Sequence, residues 1–157
     1  MFRIAKQEDI EKISKLRVMQ QKDDWKELYP NKDEEFYITT KNYLEEHLNR
    51  DIFFFIDIID NKIVATCGLQ VIKYMPQCVE SGIEGYICDV FTLKEYRRKG
   101  IQTNLIKECI KFAKEKHIIE LKLSSDNPEA IKIYKGLGFE YDKLIMKKEI
   151  KEREVDE

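Results

Sequence analysis

Strand, short cationic loop, helix, strand: the stretch from Gly85 to Ser124 constrains this chain's fold more than any other. The run Tyr86-Ile87-Cys88-Asp89-Val90-Phe91-Thr92 is rich in β-branched and aromatic residues and reads as a strand. The loop Tyr96-Arg97-Arg98-Lys99-Gly100-Ile101-Gln102-Thr103 follows it. Next comes a helix from about Gly100 to Lys116, with Ile101, Leu105, Cys109, Phe112 and Ala113 on one face. Ile118 to Leu123 is apolar enough for a second strand. A strand–helix–strand unit of this length predicts a parallel pair joined by a right-handed crossover. It also predicts an anion site, because the first-turn N–H groups of a helix lack internal acceptors and its dipole favours negative charge there.

The charge balance decides what size of anion fits. Lys and Arg total 28 against 30 Asp and Glu, so the net charge is −2. Binding to nucleic acid draws on a clear basic excess, so the loop's cations suit a small ligand and no nucleic acid is expected. A solvated surface loop is the simpler reading of Arg97-Arg98-Lys99 taken alone. Its position between a strand and an amphipathic helix, with Gly100 at the junction, favours the anion site. Cys67, Cys78, Cys88 and Cys109 form no C-x-x-C pair, and only His47 and His117 could join them, so no metal is expected. They read as reduced thiols of a cytoplasmic protein. Residues 1–9 carry acids where a signal peptide needs an apolar stretch, and the apolar run Ile52–Ile56 is far too short to span a bilayer.

Outside the central unit, Phe2 to Ala5 reads as a short strand and Asp9 onward as a helix, with the pattern breaking from Gln20 to Pro30. A second helix is expected from about Asp33 to Leu48. Ile52–Ile59 and Ile63–Ile72 flank the turn residues Asp60-Asn61-Lys62 and predict a hairpin. Near the C-terminus, Asn127 caps a short helix with Pro128 in its first turn, and Gly136 and Gly138 end it. Phe139–Tyr141 and Leu144–Ile150 predict a last hairpin, and the charged tail from Lys151 is expected to fray. The order β-α-α-β-β-β-α-β-α-β-β, with no linker or repeat, predicts one domain over 1–157. Its content is α/β and its topology α+β: a mixed, mostly antiparallel sheet with helices on both faces.

This order resembles the Gcn5-related N-acetyltransferases across nearly the whole chain. Arg97-Arg98-Lys99-Gly100-Ile101-Gln102 is similar to that family's pyrophosphate pattern, Arg/Gln-x-x-Gly-x-Gly/Ala. Asn127 through Phe139 is similar to its second signature, Asn-x-x-Ala-x-x-x-Tyr-x-x-x-Gly-Phe. One position departs: Gln102 stands where relatives carry Gly or Ala, so its side chain must point away from a bound pyrophosphate or make a contact of its own.

The resemblance implies the acyl-CoA N-acyltransferase fold and direct transfer of an acetyl group from acetyl-CoA to an amine in a ternary complex. It implies that Val90, Phe91 and Thr92 pair with the pantetheine arm as another strand would. It places Arg97, Arg98, Lys99, Gly100, Ile101, Gln102 and Thr103 on the pyrophosphate, with Asn127, Ala130 and Tyr134 as further coenzyme contacts. Tyr134, seven residues after Asn127, is where relatives place the acid that protonates the departing thiolate. A core tyrosine is its simpler reading, since Ala130, Ile131, Tyr134 and Leu137 form an apolar stripe. An alkylammonium (pKa ~10.4) must lose a proton before it attacks, and the resemblance makes Glu84 the candidate base, since relatives often carry a glutamate near the start of this strand. An exposed loop carboxylate is its alternative, and a water chain could stand in for a dedicated base. Glu84, Tyr86 and Cys88 alternate onto one strand face and Asp89 onto the other. Cys88, without a neighbouring His, reads as a small hydrophobe rather than a nucleophile.

The acceptor stays open between a small-molecule amine and a peptide amine, as does a homodimer. Trp25, Tyr29, Phe36 and Tyr37 supply aromatics for either cleft walls or plain packing. The rival reading is a module that binds acyl-CoA as a sensor and does no chemistry.

Overall fold

The computed structural model describes residues 1–25, 31–78 and 80–150, and these belong to two compact units, Met1–Ser124 and the chain from Ser125 onward. Tyr29 and the tail from Lys151 lie outside the described residues.

In the first unit the order is β1 (Phe2–Ile4), α1 (Ile10–Trp25), α2 (Asp33–His47), β2 (Ile52–Ile59), β3 (Lys62–Lys73), β4 (Ile83–Thr92), α3 (Ile101–Glu115) and β5 (Glu120–Lys122). The five strands form one sheet in sequence order. The β1–β2, β2–β3 and β3–β4 pairs are antiparallel and β4–β5 is parallel, as the crossover through α3 requires.

Period-two alternation along β2 assigns the two faces. Phe53 and Phe55 point to α3, where their rings lie 4.8 and 5.5 Å from that of Phe112. Ile52 and Phe54 point the other way and share a cavity with Leu44 and Phe36 of α2. Helices therefore cover both faces. On the α3 side Leu105, Ile106 and Cys109 are fully buried against Cys67 and Leu69 of β3. Burying a leucine this completely stabilises by roughly 1.5–3 kcal/mol.

Three local differences from the sequence reading have physical causes. Helix α1 does not break at Gln20 but runs to Trp25. Gln20-Gln21-Lys22 ends the apolar stripe, but Gln and Lys are good helix formers, so the backbone continues. The expected hairpin of Phe139–Tyr141 and Leu144–Ile150 is absent, since residues 139–150 carry no strand. A strand exists through its ladder partner more than its composition, and Leu144, Met146 and Ile150 are 92%, 95% and 81% exposed with nothing to bury against. The third difference, at Asp89, belongs to the site.

The second unit contains α4 (Pro128–Gly136). Asn127 Oδ1 accepts hydrogen bonds from the backbone N–H groups of Glu129 (3.0 Å) and Ala130 (3.3 Å), and Pro128 occupies the first turn. Cap and helix thus form as their residues predict.

Candidate active site

The first part of the site is the junction of β4 and α3. Gly100 holds φ +74°, a left-handed conformation that glycine adopts without penalty, and the space its missing Cβ would occupy is open to 4 Å. The first helical bond of α3 runs from Asn104 N to Gly100 O (3.2 Å). Ile101, Gln102 and Thr103 therefore have no acceptor within the helix for their N–H groups. Helix α2 covers its own N-terminal dipole with Asp33, Glu34 and Glu35, and α4 carries Glu129; α3 has no acid in its first turn. Its positive end is left for an anion from outside.

Around that end, Lys99 lies over the Tyr96 ring at 5.4 Å and Arg98, at φ +61°, is exposed. Arg97 turns back onto the strand: its Nε donates to Thr92 O (2.8 Å), its guanidinium lies 5.6 Å from the Phe91 ring, and Asp23 is 3.5 Å away. Gln102 makes its own contact. Its Nε2 lies 3.0 Å from Thr66 O, 2.8 Å from Phe91 O and 2.9 Å from Thr92 Oγ1, so the amide clamps the first turn of α3 to β3 and β4. The side chain points away from the exposed N-terminus, and its backbone N–H stays with those of Ile101 and Thr103.

Strand β4 itself is the second part. Strand β5 pairs only with Glu84, Gly85 and Tyr86, so from Ile87 to Thr92 the β5 side of β4 has no strand among the described residues. That edge includes Val90, Phe91 and Thr92, and it can accept an extended ligand as a further strand. Opposite it, β3 places the single residue Cys67 against both Asp89 and Val90, since Gly68 pairs with Cys88 and Thr66 with Phe91. This is a β-bulge, with Asp89 at φ +49°, a conformation that Asp tolerates better than most residues. Thr66 Oγ1 donates to Asp89 O (3.1 Å) and steadies it. Gly68 lies so close to the bulge that a Cβ there would come 2.9 Å from Cys88 Sγ.

The bulge overturns one expectation. Alternation puts Asp89 on the face away from Tyr86 and Cys88, but all three line the same cavity, about 360 Å³, between the sheet and α2. The extra residue shifts the alternation by one and aims the carboxylate into the cleft. There Asp89 Oδ1 receives Arg17 Nε at 2.9 Å; Arg17 also donates to Thr40 Oγ1 (3.3 Å) and lies 5.0 Å from the Phe36 ring. Arg17 and Asp89 are the charged residues lining this cavity, and sequence reasoning missed both roles. The one available signal was an aspartate within a strand-forming run, a residue type depleted in strands.

Glu84 sits two residues before Tyr86, paired with Lys122 Nζ at 3.0 Å and outside the cavity lining. The pairing pushes the Lys122 ammonium up from its ordinary pKa. Tyr86 and Ser124 hydroxyls share a hydrogen bond of 2.7 Å. Burial first, and then Asp89, raise the Cys88 thiol far above its ordinary value, so it is not a thiolate at neutral pH. In the second unit, Tyr134 is buried and its ring meets that of Phe139 edge-on at 5.9 Å. Of the aromatics expected at a cleft, Phe36 lines this cavity and Tyr37 does not; Tyr43 joins it instead. Among the described residues no group of three His, Cys, Asp or Glu side chains could hold a metal ion, and no helix is long and apolar enough to cross a membrane.

Comparison with known proteins matches this geometry to one family. The model of the acetyltransferase (GNAT) family matches residues 4–139. An N-alpha-acetyltransferase of Saccharolobus solfataricus is 32% identical over 113 residues, which are 66% of this chain and 66% of that protein. One from Sulfurisphaera tokodaii is 30% identical over the same shares. The chain thus spans just under two thirds of these relatives' length. A solved structure of a predicted acetyltransferase with acetyl-CoA, from Clostridium acetobutylicum, superposes with a TM-score of 0.79 at 25% identity, covering 95% of both chains.

Proposed function

This chain belongs to the acetyltransferase (GNAT) family, and from that premise we propose that it transfers an acetyl group from acetyl-CoA to the α-amino group of a peptide. The observation that carries the reading is the open N-terminus of α3: left-handed Gly100 with free space above it, three first-turn N–H groups, and no acid within that first turn. These features fit a pyrophosphate, and the unpaired edge of β4 beside them fits the pantetheine arm. The peptide amine as acceptor draws on the two archaeal relatives named N-alpha-acetyltransferases. The two compact units work as one domain in this reading, and its place is the cytoplasm.

When bound, acetyl-CoA supplies the thioester carbonyl carbon that the amine attacks. The N–H groups of Ile101, Gln102 and Thr103 bind the pyrophosphate, aided by Arg98 and Lys99, while Arg97 holds the loop to Thr92. Val90, Phe91 and Thr92 orient the arm. Glu84, paired with Lys122, takes the ammonium proton through water. Tyr134 gives its phenolic proton to the departing sulfur. Asn127 and Ala130 set the first turn of the helix that carries it.

The test is release of free thiol from acetyl-CoA across a panel of peptides and small amines, beside a calorimetric titration of coenzyme A. Release that depends on a peptide's free N-terminus is the expected result. Coenzyme binding with no turnover on any amine would instead identify an acyl-CoA sensor.

A further inference from the structure

The cavity between β4 and α2 has a chemistry that the reaction alone does not demand. Its walls are apolar and aromatic, from Phe36, Tyr43, Leu44, Ile52 and Phe54. A single carboxylate, Asp89, opens into it from the bulge, next to the edge of β4 that is free for the donor's arm. Arg17 takes one oxygen of Asp89. A carboxylate has about four lone-pair sites, so this partner leaves it able to accept from others. Arg17 is also held by Thr40 and the Phe36 ring, and Asp89 is the one anionic residue in the cavity lining that can receive a cation.

A backbone bulge that turns an aspartate from the α3 face into this cleft has a structural cost, because it interrupts the ladder and holds a non-glycine residue at positive φ. We infer that Asp89 binds the acceptor's ammonium and that the apolar cavity takes the side chain of the acceptor's first residue, so the preferred acceptors are peptides that begin with a large apolar residue. This rests on the reading of the chain as a peptide amine acetyltransferase and names its substrate class. Asp89 receives hydrogen bonds from the ammonium and orients it, while the proton itself leaves to Glu84 through water. The nitrogen lone pair so freed forms the C–N bond as the C–S bond breaks, and the sulfur keeps that electron pair and takes a proton from Tyr134. The nitrogen then sheds its second surplus proton to water, and the Tyr134 phenolate regains one from water, which leaves a neutral amide and a free thiol. A cavity of about 360 Å³ has room for one Met, Leu or Phe side chain, and it offers no second anion to match a Lys or Arg side chain.

The test is calorimetric titration of short peptide amides into the full chain, with and without saturating coenzyme A, while thiol release from acetyl-CoA is read in parallel. In the wild type, a peptide beginning with Met should bind about tenfold more tightly than its des-amino analogue, which keeps the side chain and lacks the charge. It should also bind about tenfold more tightly than a peptide beginning with Ser. Asp89→Asn keeps the size and the tolerance of positive φ, so the fold is retained, and thermal melting checks this. In that variant the preference for the free amine should shrink to about twofold or less, while binding of the des-amino peptide stays the same. A structural role for Asp89 would weaken both peptides alike and overturn the assignment. Equal wild-type binding of Met and des-amino peptides would overturn it without any mutation, and equal binding of Met and Ser peptides would overturn the apolar pocket. Thiol release with no such preferences defeats the Asp89 site alone; the preferences without thiol release support the site and defeat the transfer reading alone.

Discussion

The two faces of the sheet are built to different tolerances. On one, α3 presses a continuous apolar stripe of Ile101, Leu105, Ile106, Cys109 and Ala113 into β2, β3 and β4, and Gln102 clamps its first turn with three polar contacts. On the other, α2 buries only Thr40 and Leu44, and a cavity remains beneath it. A helix that fills its face holds its N-terminus in place, as a constant ligand such as a coenzyme needs. A helix seated on two buried residues leaves space that side chains can reshape, as a variable acceptor needs. In the proposed reading, one face fixes the donor and the other admits choice of acceptor.

The largest expected effect belongs to neither face. Tyr134→Phe removes a hydroxyl and keeps the ring against Phe139, so turnover should fall roughly ten- to a thousand-fold with coenzyme and peptide affinities nearly unchanged. Steady-state kinetics beside calorimetry checks this. A joint fall in affinity and melting temperature would instead mark Tyr134 as a core residue and nothing more.

Stability should separate the faces next. Leu105→Ala opens a hole in the filled face and should cost about 2–5 kcal/mol in urea unfolding. Leu44→Ala borders an existing cavity, which can share the lost volume, and should cost about 1–2 kcal/mol less. Equal losses would mean that α2 is seated as firmly as α3, and the contrast between the faces would fail.

How far the sequence revealed this contrast depends on the kind of cause. Helix α3, its loop and the capped α4 are local: a periodic stripe, a glycine at the junction, and Asn before Pro act within a few residues, and each formed where its pattern lay. Asp89 was misread because alternation assumes an uninterrupted ladder, and the bulge is made jointly with β3, at Thr66 and Gly68, more than twenty residues away. Arg17 was missed for the same reason, since its partner lies 72 residues along the chain. Gln102 stood out as a departure from the family pattern, but nothing in the sequence says that it bonds Thr66 and Phe91. Residues 144–150 show the opposite error, a strand expectation that finds no ladder partner among the described residues.

A smaller effect is expected from charge. Replacing Arg98 and Lys99 together with Ala should weaken coenzyme A binding several-fold at low salt and less at high salt, because exposed charges are screened. Peptide affinity should not change. An equal loss of coenzyme affinity at both salts would mean that the cations act through loop structure and not through attraction.

The central claim is that the donor is held by the backbone at the start of α3, and one titration addresses it directly. Gly100→Val puts a β-branched residue at φ +74°, which costs about 1–3 kcal/mol if the conformation is kept and moves the first-turn N–H groups if it is not. Nothing lies within 4 Å of the added Cβ, so the core is untouched and the melting temperature should fall by no more than that backbone cost implies, about 2–4 °C per kcal/mol. Calorimetric titration of coenzyme A into this variant should show affinity reduced at least about tenfold, with the Met peptide still bound in its cavity. Coenzyme A binding as tightly as to the wild type would contradict the account.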